Sequence, residues 1–241
     1  MKTVRMLGIA LVAAFMLCAA AAASASAAEA PTYKECVSQS GGAYTTGCKK
    51  AAKPGKGVAE LVEVEEPETF TGTGKAAKIT LGSKEVKCKH SSVEGVIQYG
   101  DGSAGAHYTF SECELGKAKC TTGSEAAGTI KTPRLDTQLQ YLNPGETEVG
   151  ISAGLVGGTF ADFTCGTEAF EVKGEVGGTI KNEGAKGTTV TYKVKSGVQE
   201  HDALYDEGES FTVGLQSGAH ETATLSVTFT DGPANVGAYG A

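Results

Sequence analysis

The sequence predicts an all-β protein, an antiparallel sandwich or barrel of roughly a dozen short strands that is stapled by disulfides. Three observations support this class. Short apolar or alternating runs recur between turn signals along most of the chain. No window between them has the period of an amphipathic helix, and a parallel sheet would need crossover helices. The composition, with 34 glycines and no tryptophan, suits short strands joined by tight turns.

The predicted strands are bounded by turn-forming residues. The first is the acidic stretch from Glu60 to Glu65, in which charged and apolar residues alternate as on an exposed strand. The later runs share alternation or an apolar, β-branched centre, and they cover residues 79–81, 85–89, 93–99, 107–110, 129–135, 138–142, 149–151, 159–164, 170–172, 176–181, 188–195, 211–215 and 223–230.

The N-terminus has the features of a secretory signal peptide over residues 1–28. Lys2 and Arg5 form a positive region, an uncharged apolar stretch follows, and Ala28 ends a run of small residues suited to cleavage. The bulky Leu17 before Cys18 disfavours a lipid anchor, and no basic cluster follows that would retain the segment in a membrane. We therefore expect a secreted or cell-surface protein without a membrane span.

After cleavage, 213 of the 241 residues remain, enough for one β domain with a small appendage. Residues 29–57 are predicted as a small disulfide-closed N-terminal segment and connector. Residues 58–230 form the predicted β domain, and residues 231–241, which lack apolar periodicity, are predicted to be a flexible tail.

The mature chain keeps an even number of cysteines, which in an exported protein indicates disulfides: Cys36, Cys48, Cys88, Cys113, Cys120 and Cys165. Fifteen pairings of six cysteines exist. Cys36 and Cys48 are close in the chain across a predicted turn, and so are Cys113 and Cys120, so we predict a disulfide within each pair. The third predicted disulfide joins the two cysteines that remain, Cys88 and Cys165.

The net charge of the chain disfavours several classes of binding partner. Removal of Lys2 and Arg5 leaves 19 of the 21 basic residues against 28 acidic ones, a net charge of −9. Such a surface repels phosphate backbones and anionic lipid, so nucleic acid and direct membrane binding are disfavoured. The lack of tryptophan leaves only Tyr and Phe to stack on sugar rings, which disfavours a lectin-like protein without excluding it.

One motif resembles a catalytic nucleophile. Residues 150–154 fit the Gly-x-Ser-x-Gly pattern around Ser152, and Asp202 and His220 follow in the chain order of a hydrolase triad. A nucleophile elbow needs a strand that leads into a helix, whereas the residues after Gly154 are glycine-rich and continue towards another strand. We therefore predict that Ser152 is a strand residue.

The sequence gives no metal or cofactor site. An acidic cluster of possible calcium ligands lacks the spacing of a known loop and is better interpreted as a solvated turn; it contains His201, Asp202, Asp206, Glu207 and Glu209. The four histidines, His90, His107, His201 and His220, show no zinc-binding spacing. The glycines at 72–76 lack the rest of a phosphate loop, so no nucleotide cofactor is predicted.

Several segments carry a family resemblance. They combine cysteines with Gly, Thr and Lys at similar spacing, and they cover residues 31–37, 47–50, 70–74, 86–89, 110–113, 119–122, 149–151, 163–165 and 190–193. In these segments the chain resembles a family of uncharacterised exported proteins from soil actinobacteria. The resemblance implies export, the same use of cysteine and a β-rich fold, and it implies no activity.

Two functional hypotheses follow. The sequence favours an exported, non-enzymatic β protein that acts through its surface, either in the cell envelope or on an unidentified extracellular ligand. The alternative is a secreted hydrolase whose site, Ser152 or a pair of carboxylates, is assembled from distant strands. A concave cleft lined by facing Asp and Glu would favour the hydrolase, and an open apolar or Tyr-rich patch would favour a binding module. The sequence leaves the oligomeric state open.

Overall fold

The computed structural model describes residues 30–239 except 49, 101, 144, 146, 183–187, 196–197, 202, 207–208, 213–218 and 230–236. At residues 155–157, 182, 198 and beyond 201 it describes the backbone only. The described strands, in chain order, are β1 Thr32–Ser38, β2 Ala59–Glu63, β3 Glu68–Gly74, β4 Ala77–Leu81, β5 Lys84–Cys88, β6 His90–Ile97, β7 Ser103–Ser111, β8 Glu114–Leu115, β9 Ala118–Thr121, β10 Ile130–Lys131, β11 Leu135–Tyr141, β12 Val149–Cys165, β13 Glu168–Asn182, β14 Thr188–Tyr192, β15 Val194–Lys195, β16 Val198–Gln199, β17 Ala203–Asp206, β18 Glu209–Thr212, β19 Ala219–Phe229 and β20 Gly237–Tyr239.

Eight of these strands close into an antiparallel barrel. They pair in chain order as β3, β6, β7, β11, β12, β13, β14 and β19, and β19 pairs with β3 to complete the ring. An up-and-down barrel of this kind has no free edge in its ring. The prediction of an all-β antiparallel fold is confirmed. Of the two predicted architectures, sandwich and barrel, the structure has the barrel. Within the described residues the only helical segment is a 3-10 turn at Thr46–Cys48, and no helix has the length and apolarity needed to cross a membrane.

The barrel interior is filled by side chains. On β11, for example, Leu135, Thr137 and Leu139 are buried while Asp136 is exposed, which is the alternation of a strand with one face on the core. The space left inside is about 30 Å³, room for about one or two water molecules. Eight-stranded barrels either fill with side chains or hold one small ligand, and the free volume among the described side chains leaves no room for a sizeable one.

The N-terminal strand closes one end of the barrel. β1 lies between β2 and β20 in a separate three-stranded sheet, and its Tyr33 side chain, only 5% exposed, lines the internal space of the barrel. Burial and the neighbouring Tyr108 raise the pKa of the Tyr33 hydroxyl well above its ordinary value, although the Tyr33 side chain is hydrogen-bonded to Thr137. Strand β20 belongs to the segment predicted as a flexible tail, and its described residues pair with β1.

Insertions between the barrel strands build a second sheet. β4 and β5 lie between β3 and β6 in the chain, and β8 and β9 lie between β7 and β11. Together they bridge β19 to β12 in the order β19, β4, β5, β8, β9, β12. The two long strands β12 and β19 therefore belong to both the barrel and this side sheet.

Four cysteines form one row across the side sheet. The disulfides join Cys88 to Cys113 and Cys120 to Cys165, each with a Cα–Cα distance of 4.0 Å. The predicted pairs Cys113 with Cys120 and Cys88 with Cys165 are therefore wrong, whereas the predicted third disulfide, Cys36 with Cys48, is confirmed.

Hydrogen bonding between the strands explains this pairing. Cys120 donates its backbone N–H to the carbonyl oxygen of Cys113 at 3.0 Å. Cα atoms at a hydrogen-bonded position lie about 5.5 Å apart, against about 4.5 Å at a non-hydrogen-bonded position. Cys113 and Cys120, which are close in the chain, lie opposite each other, but each is bonded to its neighbour on the other side.

Candidate functional site

Two residues of the Gly-x-Ser-x-Gly motif, Ser152 and Gly154, line a groove on the outside of the barrel. The motif lies within the long strand β12, and no helix follows it. Because side chains alternate along a strand, Ile151 and Ala153 belong to the core while Gly150, Ser152 and Gly154 lie on the outer face. Ser152 is thus a strand residue, as predicted, and the motif reflects a strand with three small residues on one side.

Of the other two residues of the possible triad, His220 lies far from Ser152. His220 pairs with Thr80 of β4, and β13 and β14 separate its strand from β12 in the ring. Three inter-strand spacings amount to about 14 Å. Asp202 lies outside the described residues. The structure therefore gives no support to a serine nucleophile at this position.

Polar side chains from the neighbouring strands form the walls of the groove. Gly154 pairs with Asp136 of β11 on one side and with Glu175 of β13 on the other. One step along the same face, Ser152 pairs with Gln138. The groove has a volume of about 640 Å³, and its lining is Gln98, Ser103, Ala104, Gly105, Arg134, Asp136, Thr137, Gln138, Gln140, Ser152, Gly154 and Glu175. We call it the polar groove.

The floor of the polar groove requires glycine at position 154. Gly154 has φ +144°, and a Cβ atom at this position would lie 2.4 Å from the carbonyl oxygen of Gly174 and 2.9 Å from Cγ of Glu175. Both the backbone conformation and the close approach of β13 therefore exclude a side chain. The backbone of β13 and the side chain of Glu175 therefore lie directly against Gly154.

We expect Gly154→Ala to lower the free energy of unfolding by about 1–3 kcal/mol, because a non-glycine residue is strained at this φ and its methyl group would push β13 away. Urea denaturation of the oxidised protein measures the change. Gly116→Ala is the matched control, since Gly116 also has a positive φ of 63° but no atom within 4 Å of its Cβ position. An equal loss in both variants would show that backbone conformation alone matters.

Arg134 lies at one end of the polar groove. It is the only arginine that follows the predicted signal peptide. A Cβ atom on Gly105 would lie 2.3 Å from its Nε atom, so the guanidinium lies directly against the backbone of β7. Among the described residues Arg134 forms no ion pair. Its donors are therefore available to a ligand.

The two carboxylates have different surroundings. Asp136 is exposed to solvent, whereas Glu175 is half-buried beside the glycine floor. Burial raises the pKa of the Glu175 carboxyl above its usual range. The polar groove thus combines one solvated carboxylate with one whose pKa is raised by burial.

Gln140 contributes a buried polar group without a partner. Its side chain is 7% exposed, it lines the polar groove, and its Oε1 atom has no hydrogen-bond partner among the described residues. An unsatisfied buried acceptor costs about 1–3 kcal/mol. A donor from a bound molecule would relieve this cost.

Among the described side chains, the other residues singled out in the sequence do not form a site. Three histidines each have a partner: His90 with Glu112 at 3.5 Å, His107 with the Thr132 carbonyl at 3.3 Å, and His201 with the Thr179 hydroxyl at 3.0 Å. No group of three metal-ligating side chains occurs within the part of the chain that the structure describes. The glycines at 72–74 belong to β3, and the acidic side chains of the calcium hypothesis lie outside the described residues.

The polar groove was not predicted, although part of its signal is present in the sequence. The alternation Asp136-x-Gln138-x-Gln140 is a polar face on a strand, and the Gly-x-Ser-x-Gly run is a small-residue face on the next strand. Glu175 was not identifiable, since its position opposite Gly154 depends on a register that includes a β-bulge between Leu155 and Thr159.

Comparison of this chain with family models, curated proteins and solved structures gives no match. The resemblance to exported actinobacterial proteins therefore stays a prediction. The three disulfides indicate an oxidising, extracellular environment.

Proposed function

We propose that this protein acts outside the cell as a binding protein, and that its polar groove holds a segment of a neutral saccharide. The observation that carries this proposal is the lining of the groove, in which hydrogen-bonding side chains from three adjacent barrel strands surround a floor of small residues. The buried acceptor on Gln140 adds a group that lacks a partner within the described chain.

The chemistry of the groove suits a ligand rich in hydroxyl groups. A hydroxyl both donates and accepts, carboxylates accept, and Gln and Arg side chains supply donors at fixed positions. Asp136 and Glu175 can each accept hydrogen bonds from sugar hydroxyls, and Arg134 can donate to ring or hydroxyl oxygens. The net charge of −9 for the mature chain disfavours a polyanionic ligand.

Recognition in this groove depends on hydrogen bonds. No aromatic ring is among the described side chains that line it, so sugar rings have no stacking surface there. This agrees with the lack of tryptophan in the chain. We therefore expect modest affinity, gained over several sugar units of a polymer such as a cell-wall or extracellular polysaccharide.

Affinity electrophoresis tests the proposal. The oxidised protein is run through native gels that contain soluble xylan, glucomannan, hydroxyethyl cellulose or a β-1,3-glucan, and retardation gives the binding constant. Gln138→Ala should weaken binding about tenfold, which corresponds to one lost hydrogen bond of about 1–1.5 kcal/mol. Gln39→Ala is the matched control, because Gln39 is exposed and lies outside the groove.

Two results would contradict the proposal. One is migration of the native protein that none of these polysaccharides alters. The other is equal retardation of the native protein and Gln138→Ala, which would place binding elsewhere on the surface.

A further inference from the structure

We propose that the polar groove prefers saccharides that carry an acetamido group, and that Gln140, Ser152 and Leu142 hold this group. The inference rests on the proposed function, because it names the class of sugar that the same groove binds. The observation that carries it is a place on the outer face of β11 and β12 where a buried acceptor, a buried hydroxyl and an apolar side chain adjoin. An acetamido group has one hydrogen-bond donor, one acceptor and one methyl group, so it matches all three.

Gln140 supplies the acceptor. It is 7% exposed and lines the groove, and its Oε1 atom has no hydrogen-bond partner among the described residues. Folded proteins pair nearly all of their buried polar atoms, so an unpaired one calls for an explanation. A donor on a bound molecule supplies that explanation here. The N–H of an acetamido group is such a donor, and the amide nitrogen presents no acceptor to the Oε1 atom.

Ser152 supplies the donor. It is 6% exposed and lines the groove, and its hydroxyl is not hydrogen-bonded to another described residue. Gln140 pairs with Gly150, which precedes Ser152 by two residues on the same face of β12, so Gln140 and Ser152 are diagonal neighbours. The N–H and C=O of a trans amide point in opposite directions. An acetamido group that donates to Gln140 therefore keeps its oxygen free to accept from a second residue, and the Ser152 hydroxyl is the neighbouring donor.

Leu142 supplies an apolar contact. It follows Gln140 by two residues and is half-buried. Its side chain lies against the backbone of β12, since a Cβ atom on Gly150 would lie 2.7 Å from Cγ of Leu142. A methyl group that packs on this side chain removes apolar surface from water, which a hydroxyl group cannot do. This contact distinguishes an acetamido sugar from a sugar that has a hydroxyl at the same carbon.

The carboxylates of the groove lie further along the strands. Asp136 and Glu175 both pair with Gly154, four residues beyond Gly150 on β12. They are therefore acceptors for other hydroxyl groups of the saccharide, as in the proposed function, and the acetamido group lies at the Gln140 end. An acetamido group is uncharged, in keeping with a chain of net negative charge.

Affinity electrophoresis with two matched polymers tests the inference. Hydroxyethyl chitin and hydroxyethyl cellulose have the same β-1,4-linked chain and the same hydroxyethyl substituents, and they differ at C2, which carries an acetamido group in the first and a hydroxyl in the second. We expect the native protein to bind hydroxyethyl chitin about tenfold more tightly, the combined effect of a better hydrogen bond and a buried methyl group.

Two variants assign this preference to the proposed residues. Gln140→Leu removes the acceptor and keeps a side chain of similar size, and Ser152→Ala removes the hydroxyl. Each should reduce the tenfold ratio of the two binding constants to within about threefold, because each loses one hydrogen bond to the acetamido group. Gln39→Ala is the matched control, since Gln39 is exposed and lies outside the groove, and it should keep the native ratio.

Urea denaturation of Gln140→Leu gives a second readout that a structural role of Gln140 would not produce. Because the variant replaces an unpaired buried polar atom by an apolar group, it should unfold at the same urea concentration as the native protein or at a higher one. Unfolding at a clearly lower concentration would show that Gln140 is needed by the folded chain, and this would overturn its role as a group held for a ligand.

The remaining outcomes separate this inference from the proposed function. Equal retardation of the native protein by the two polymers, weakened in Gln138→Ala, would overturn the preference for acetamido sugars and leave the proposed function standing. Retardation by neither these two polymers nor the other polysaccharides would overturn both. A tenfold ratio that persists in Gln140→Leu and in Ser152→Ala would place the acetamido group elsewhere and would overturn the inference.

Discussion

Replacement of both Cys120 and Cys165 by serine is expected to lower the free energy of unfolding by about 4 kcal/mol. This disulfide spans 45 residues, the longest separation of the three, and a cross-link over a longer loop removes more entropy from the unfolded chain. It also joins β9 of the side sheet to β12, a strand that the side sheet shares with the barrel. Urea denaturation of the native and variant proteins, both without reductant, measures the loss.

The N-terminal disulfide provides the comparison. Cys36 and Cys48 are 12 residues apart, so the Cys36→Ser/Cys48→Ser variant should lose about 3 kcal/mol. A larger loss in this variant than in Cys120→Ser/Cys165→Ser would contradict the ranking. Peptide mapping without reduction checks the connectivity first, because a peptide that joins Cys113 to Cys120 would invalidate the comparison.

Tyr33→Ala is expected to lower the free energy of unfolding by about 3–5 kcal/mol, the usual cost of truncating a buried aromatic residue to alanine. Tyr33 closes the end of the barrel and lines its internal space. The variant would enlarge this space and detach the three-stranded sheet of β1 from the core. Tyr33→Phe keeps the ring and loses only the hydrogen bond to Thr137, so it should cost about 1 kcal/mol.

Tyr99→Ala is the control for this prediction. Tyr99 is 56% exposed, and its replacement should change the stability by no more than about 0.5 kcal/mol. Chemical denaturation followed by tyrosine fluorescence measures all three variants. If Tyr33→Ala were as stable as Tyr99→Ala, the N-terminal sheet would not contribute to the core.

The sequence predicted local features of this fold correctly and its long-range register poorly. The recurrence of short alternating runs was enough for the all-β class, because alternation is a local property of a strand. Cys113 and Cys120 are close in the chain and lie opposite each other, but the disulfide predicted between them from this proximity is wrong. Their true partners, Cys88 and Cys165, depend on strand pairs that join distant parts of the chain.

The candidate site shows the same limit. Ser152 was predicted as a strand residue because glycines follow it in the chain. Asp136 and Glu175 lie 39 positions apart in the chain, and they meet only because both pair with Gly154. No pattern within one segment could reveal that meeting, since it requires three strands in register.

The row of four cysteines has a consequence for oxidative folding. Cys113 and Cys120 are the closest pair in the chain, so their encounter in the unfolded protein is the most frequent and a bridge between them should form early. Attack of the Cys88 thiolate on Sγ of Cys113 forms one native bridge and releases Cys120 as a thiolate. Cys120 and Cys165 then form the second bridge by exchange with an external disulfide such as oxidised glutathione, which takes up the two electrons. Because the four cysteines lie in one row, these steps need little rearrangement of the sheet. Refolding should therefore proceed faster in a glutathione buffer than under a strong oxidant that leaves no free thiol.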